Sequence, residues 1–475
     1  MKCVLIAPPF GSVYGTFKGL MRYGFLNPPL GLCYLAAAVK RSGHQALVLD
    51  CEAQGLNLTS ILEIIEREKP DLIGITATSP ELNNAVAIAA GLKSSLATPI
   101  VLGGVHVTIF NEQALVDHPC FDFGAVGEGE ETIVELLEAL PEPHRYARIQ
   151  GLIYRQAGEI IQNPLRPLLQ DLDDLPFPDR TALPPELYFR SVPRLGHGVT
   201  AAFMSSRGCP CRCTYCAIDH IPGWRRVRFR SAANVVDEIE YLVRELKILH
   251  ISFNDDVLTL NKARIYEICR EIKRRQLTFT WEGLSRADAV DRELLRTMKD
   301  AGFVRISYGI ESGNPAILKS TGKNETLEQI EAAFRLTREA GIIARGSLII
   351  GLPFENRRTV EDSFRFINRL EGIDQVVINI LQPYPGTKVR EMMLQGVGGS
   401  RILNDDLSEL RRFGNAVVEV NDLTRNRLIW LQKIGLLRFY LRPKVLWRNF
   451  KVYHPKAFLM DGLAFMKALC SWGAN

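Results

Sequence analysis

With 475 residues, 47% of them hydrophobic, the chain is too long for one ordinary domain and can bury two or three cores. A net charge of +5 argues against a general nucleic-acid binder, and ten cysteines, four of them between positions 209 and 216, fit a metal or cluster site better than a disulfide framework. Met1 and Lys2 lead into a short run ending at Pro8 and Pro9 with no secretory pattern, and no apolar run is long enough to cross a bilayer, so the cytoplasm is the expected location.

Residues 1–140 alternate aliphatic runs with amphipathic segments. The runs are CVLIA, ALVLD (46–50), DLIGIT (71–76), PIVLGG (99–104) and FGAVGEGE (123–130); the helical patterns include 58–68, 81–95 and 130–140. The alternation predicts an α/β domain built on a doubly wound parallel sheet, with ligands at the carboxyl ends of its strands. Candidate positions there are Glu52, Thr76, Ser79, Gly103, Gly104, His106, Gly127, Glu128 and Gly129.

Residues 141–195 are proline-rich and read as a linker or wrapping segment. From 196 to 390 a second alternating series begins, with strands expected at 200–206, 250–255, 279–283, 304–309, 344–351 and 376–381. Helical stretches at 231–246, 262–275, 291–301, 327–340 and 359–370 separate them. Six βα units in succession suggest a partial barrel whose chemistry sits at the strand carboxyl ends. Residues 391–475 read as a helical extension, and from Arg425 onward ten Lys or Arg face one acid, Asp461, a balance of +9.

The segment SSRGCPCRCTYC follows the first barrel strand, so its thiols lie on a loop at the catalytic end. Thiolates suit iron–sulfur clusters, zinc or copper(I). Cys209, Cys213 and Cys216 supply three ligands, which on a four-iron cube leave one iron open; a closed zinc site with His220 or Cys211 as fourth ligand is the alternative. A turn that aims the three at one cube is expected to point Cys211 elsewhere.

This loop and the barrel around it resemble the radical S-adenosylmethionine (SAM) superfamily. The resemblance implies a 4Fe–4S cluster on Cys209, Cys213 and Cys216 whose open iron chelates SAM. It further implies SAM contacts at Tyr215, at Asp255 and Asp256 after the second strand, Ser285 and Arg286 after the third, and Glu311 and Ser312 after the fourth. Leu348 and Gly351 on the GSLIIGLP strand complete the set, and QPYPGT closes the sixth. The N-terminal domain resembles the cobalamin-binding domains fused ahead of such barrels, through LNPPLG, DCEAQG, TATSPE, GGVHVT and VGEGEET. That family's Asp-x-His-x-x-Gly signature here reads Asp50 to Gly55 with Glu52 in place of histidine. A carboxylate is the harder ligand, so no histidine from this loop is expected on cobalt, and His106 is expected to hydrogen-bond rather than ligate.

The expected function is a radical SAM enzyme using the cluster, SAM and cobalamin to methylate an unactivated carbon. An oxidative cyclase is the enzymatic alternative and a corrinoid- or metal-sensing module the non-enzymatic one. Expected partners are a small-molecule or lipid-like substrate, an electron donor such as a flavodoxin or ferredoxin, and a membrane surface contacted weakly through 425–475; no nucleic acid is expected.

Overall fold

The computed structural model describes residues 1–11, 13–14, 27–184, 187–188, 200–411 and 413–452. The chain divides into two compact units, one formed mainly by residues 27–188 with the first strand, the other mainly by residues 224–452 with the cysteine loop.

In the first unit, strands β1 (Lys2–Ala7), β2 (Gln45–Asp50), β3 (Leu72–Thr76), β4 (Ile100–Gly103) and β5 (Phe123–Ala125) pair in parallel in the order β2-β1-β3-β4-β5. They are buried on both faces, as near-continuous aliphatic runs require. The sheet then continues past β5 with two antiparallel strands, β6 (Leu152–Gln156) and β7 (Glu159–Gln162). The linker expected over 141–195 is therefore corrected. Its first part is a hairpin whose two-residue turn places Ala157 at φ 51° and Gly158 at φ 88°, the left-handed pair a tight hairpin demands. Residues 189–195 lie outside the described residues.

In the second unit, β8 (Thr200–Phe203) is followed by a two-stranded pair, β9 (Ser206–Arg207) with β10 (Arg228–Phe229). Strands β11 (His250–Phe253), β12 (Thr280–Ser285), β13 (Phe303–Glu311), β14 (Ile343–Ile350) and β15 (Ile373–Ile380) then form with β8 a six-stranded parallel sheet in sequence order. Five helices, Ala232–Arg244, Lys262–Arg274, Arg292–Asp300, Leu327–Glu339 and Arg357–Arg369, begin within two residues of the expected starts. Each has an Asn, Asp, Ser or Thr at its N-cap whose side chain accepts a backbone N–H.

The extension after residue 390 is not helical throughout, as was expected. Strands β16 (Ser400–Ile402) and β17 (Val418–Val420) pair antiparallel before the helices Arg425–Tyr440 and Pro443–Val452. Among the described residues no helix is long and apolar enough to cross a membrane.

Candidate functional site

The cysteine loop is held from several sides. The Cys209 N–H donates to the Trp224 carbonyl at 3.0 Å, Thr214 N–H to Thr321 O at 2.8 Å, and Val389 N–H to Thr214 O at 2.8 Å. Gly208 sits at φ 101°, and a Cβ there would collide with the Trp224 carbonyl, so no other residue permits this entry into the loop. Beneath the entry, the buried Asp255 carboxylate accepts from Ser205 N–H at 3.1 Å, Ser205 Oγ at 2.7 Å and Ser206 Oγ. Arg264 donates to Ser205 O at 2.7 Å, while Arg230 donates to Met204 O at 2.9 Å and pairs with Glu238 at 2.6 Å.

Around that frame the thiols fall into two neighbourhoods. The neighbouring Cys209 and Cys211 thiols shift in opposite directions, the first raised and the second lowered, and Arg286 near Cys211 lowers it further. Cys213 lies near Cys216, Tyr215 and Lys323, and burial pushes its thiol up to about 11. Among the described residues no three His, Cys, Asp or Glu side chains converge on one point as a single ion requires. The His220 side chain, a candidate fourth ligand of the zinc alternative, lies outside the described residues. A four-iron cube takes one thiolate per iron, so its three cysteine ligands need not converge on one point.

Behind the loop runs a buried chain of alternating charge. The Tyr215 hydroxyl lies near Cys213 and the Glu311 carboxylate, and with its desolvation these raise its pKa. Glu311, at the end of β13, is 3.3 Å from Lys323 Nζ, which is 2.9 Å from Glu325 and also donates to Gly309 O. Arg286 donates to Lys323 O at 2.8 Å and grips Asp288 with two bonds of 2.8 Å. A Cβ on Gly309 would strike both the Glu311 carboxylate and the Lys323 amine. Tyr215, Arg286 and Glu311 thus lie beside the loop. Lys323 and Glu325 were missed; their signal is the pair of charges in TGKNET, directly before a helix.

Other expected contacts are placed differently. Asp255 is engaged as the loop's brace, while Asp256 is exposed and accepts from Trp224 Nε1 at 3.4 Å. Ser285 bonds Thr259, and Ser312 bonds Ser363 of the helix Arg357–Arg369 at 3.2 Å. Leu348 is a correction. Its side chain is fully buried in the core beneath the helices, on the same face as Ala344, Gly346 and Ile350, while Arg345, Ser347 and Ile349 occupy the other face. Gly351 donates its N–H to the Glu355 carboxylate at 2.6 Å, and Leu352 does so at 3.1 Å.

At the carboxyl ends of the first unit's strands, Asp50 caps the short helix Cys51–Gln54, accepting from Ala53 N–H at 3.0 Å and from the Tyr188 hydroxyl at 2.8 Å. Glu52 accepts from Gly11 N–H at 2.9 Å, and Glu128 from Leu169 N–H at 3.1 Å, so both carboxylates serve the fold. His106 is buried, stacks on Phe110 at 4.5 Å and meets Ser79 Oγ at 3.2 Å; burial pulls its pKa down to about 4, so the ring is neutral at pH 7. Gly104 packs on Ala77 and Thr76, and Gly129 meets Leu35. A Cβ at Gly103 or Gly127 would meet nothing within 4 Å, so two strand ends present bare backbone to open space, a cradle suited to a flat macrocycle.

The Radical SAM superfamily model matches residues 203–367, and that of the B12 binding domain matches residues 20–137. Over 455 residues the chain is 34% identical to an uncharacterized methyltransferase of Pyrococcus horikoshii, covering 96% of this chain and 95% of the relative. It is 30% identical to the anaerobic magnesium-protoporphyrin IX monomethyl ester cyclase of Rubrivivax gelatinosus, over 71% of this chain and 61% of the relative. Its fold is similar to that of the radical S-adenosylmethionine methyltransferase TsrM from Kitasatospora setae, solved with cobalamin and a 4Fe–4S cluster bound, at a TM-score of 0.69 and 20% identity over 85% of this chain and 77% of that one.

Proposed function

The chain belongs to the radical SAM superfamily, among the enzymes whose barrel follows a B12-binding domain, and we propose that it methylates an unactivated carbon of a small-molecule or lipid-like substrate. The observation that carries this reading is the clamped loop of Cys209, Cys213 and Cys216 at the carboxyl end of a six-stranded parallel sheet, backed by half-buried Tyr215 and buried Glu311. When bound, such a cluster would supply the single electron that SAM cleavage needs, drawn from a flavodoxin- or ferredoxin-type donor, and cobalamin would supply the methyl group.

The chain's own residues bind and orient. Cys209, Cys213 and Cys216 hold the cluster, and the backbone clamps at Trp224, Thr321 and Val389 fix the loop that presents it. Glu311, kept beside the Lys323 ammonium, offers carboxylate oxygens to ribose hydroxyls or to the SAM amino group. Gly103 and Gly127 let backbone approach the corrin, and neutral His106 steadies that wall through Ser79.

Anaerobic turnover with trideuteromethyl-labelled SAM tests the reaction. Methylation gives S-adenosylhomocysteine and 5′-deoxyadenosine in equal amounts and a labelled product. Oxidative ring closure, the reading favoured by likeness to the cyclase, gives 5′-deoxyadenosine alone, and that outcome would overturn the proposal.

A further inference from the structure

Gln382 follows β15 at the carboxyl end of the six-stranded sheet and is 7% exposed. Its amide nitrogen donates to the Ile380 carbonyl at 3.2 Å, which fixes the side chain, while its Oε1 is fully shielded and has no hydrogen-bond partner among the described residues. The turn that carries it is held in place. Tyr384 N–H donates to Gln382 O at 2.9 Å, Thr387 Oγ1 to Tyr384 O at 2.7 Å, and Arg390 to Pro383 O at 3.1 Å. A buried acceptor without a donor forfeits more than an ordinary hydrogen bond gives, so this oxygen calls for a donor from outside the chain.

The segments on either side identify that donor. Leu381 N–H donates to Ile350 O at 2.8 Å, which sets Gln382 beside the Gly351–Leu352–Pro353 turn that ends β14. Farther along the same stretch, Val389 N–H donates to Thr214 O at 2.8 Å, next to Tyr215. Gly351 and Tyr215 are both positions that the family resemblance assigns to SAM, so the unpartnered oxygen lies between two walls of that cofactor's site. SAM offers three kinds of donor: its ammonium, its ribose hydroxyls and the exocyclic amine of adenine. The open iron and the Glu311 carboxylate suit the first two, which bind best to a metal or an anion. The adenine amine is neutral, and a neutral amide oxygen matches it. We infer that Gln382 Oε1 accepts from the exocyclic amine of SAM and so selects adenine over a base that lacks it. This inference rests on the reading of the chain as a SAM-binding radical enzyme and adds to it a residue that recognises the base.

Anaerobic calorimetric titration of the full reconstituted chain with S-adenosylhomocysteine, and with the analogue that carries purine in place of adenine, tests the inference. The wild-type chain is expected to bind the adenine ligand about tenfold more tightly. Gln382→Met, close in shape but without the acceptor, is expected to lose about tenfold for S-adenosylhomocysteine and to bind the purine analogue as the wild type does. Thermal melting of the ligand-free variant should be unchanged or raised, because the unpartnered oxygen is gone. Gln382→Glu, which keeps an acceptor oxygen, is expected to restore the preference for adenine. Equal losses for the two ligands in Gln382→Met, or a preference for adenine that survives in it, would overturn the inference while both ligands still bind and the SAM reading stands. A wild-type chain that binds neither ligand would overturn both.

Discussion

Lys323 shows how a residue gains a role only through the fold. In sequence it sits in a polar turn where a solvated charge is the ordinary reading. In the structure its amine is buried between Glu311 and Glu325, reachable because residue 309 is a glycine on a neighbouring strand. Lys323→Met leaves two buried carboxylates without their cation, and we expect a loss of about 3–5 kcal/mol in denaturant unfolding. Lys323→Arg is expected to recover part of that loss. Glu355 makes the opposite prediction. It is fully buried, one oxygen takes the Gly351 and Leu352 N–H groups while the other has no partner, and burial raises its pKa from 4.5 to about 8. A carboxyl raised in the folded state binds more protons there than in the unfolded chain. Its contribution is therefore complete below about pH 4.5 and is lost as pH climbs through about 8. Glu355→Gln, neutral at every pH, should remove that part of the decline. A melting temperature that falls equally with pH in both proteins would contradict the assignment.

At the scale of elements, strand and helix positions were legible because aliphatic runs alternate with capped amphipathic helices. The errors came where a second pattern was overlooked. The strand IARGSLII has a period of two, with Arg345 and Ser347 on one face and Leu348 with Ile350 on the other, and reading that parity would have placed Leu348 under the helices. The segment LIYRQAGEIIQ carries two short β runs around Ala157 and Gly158, a hairpin signal masked by the prolines after it. The brace under the cysteine loop could not be read at all, since Arg230, Glu238, Arg264 and Asp255 come from four separate elements. Its most deeply buried pair, Arg230 with Glu238, has side chains 3% and 1% exposed. Glu238→Ala should cost about 3–5 kcal/mol in denaturant unfolding, and Arg230→Met with Glu238→Leu less than the single change, because a buried charge without a partner costs more than an apolar pair.

For the whole molecule, composition announced two or three cores and the cysteine spacing announced the chemistry, while substrate recognition has no comparable signature. The two cofactor grounds rest on different evidence: three thiols on a clamped loop for the cluster, and bare strand ends with a neutral, hydrogen-bonded His106 for the corrin. The most direct test of both is electron paramagnetic resonance of the anaerobically reconstituted, reduced protein with cobalamin. The account predicts a cluster signal that shifts on adding SAM, persists in Cys211→Ala and vanishes in Cys209→Ala, Cys213→Ala and Cys216→Ala, together with a cobalt(II) signal without nitrogen splitting. A cluster signal lost in Cys211→Ala, or a nitrogen splitting that disappears in His106→Ala, would contradict it.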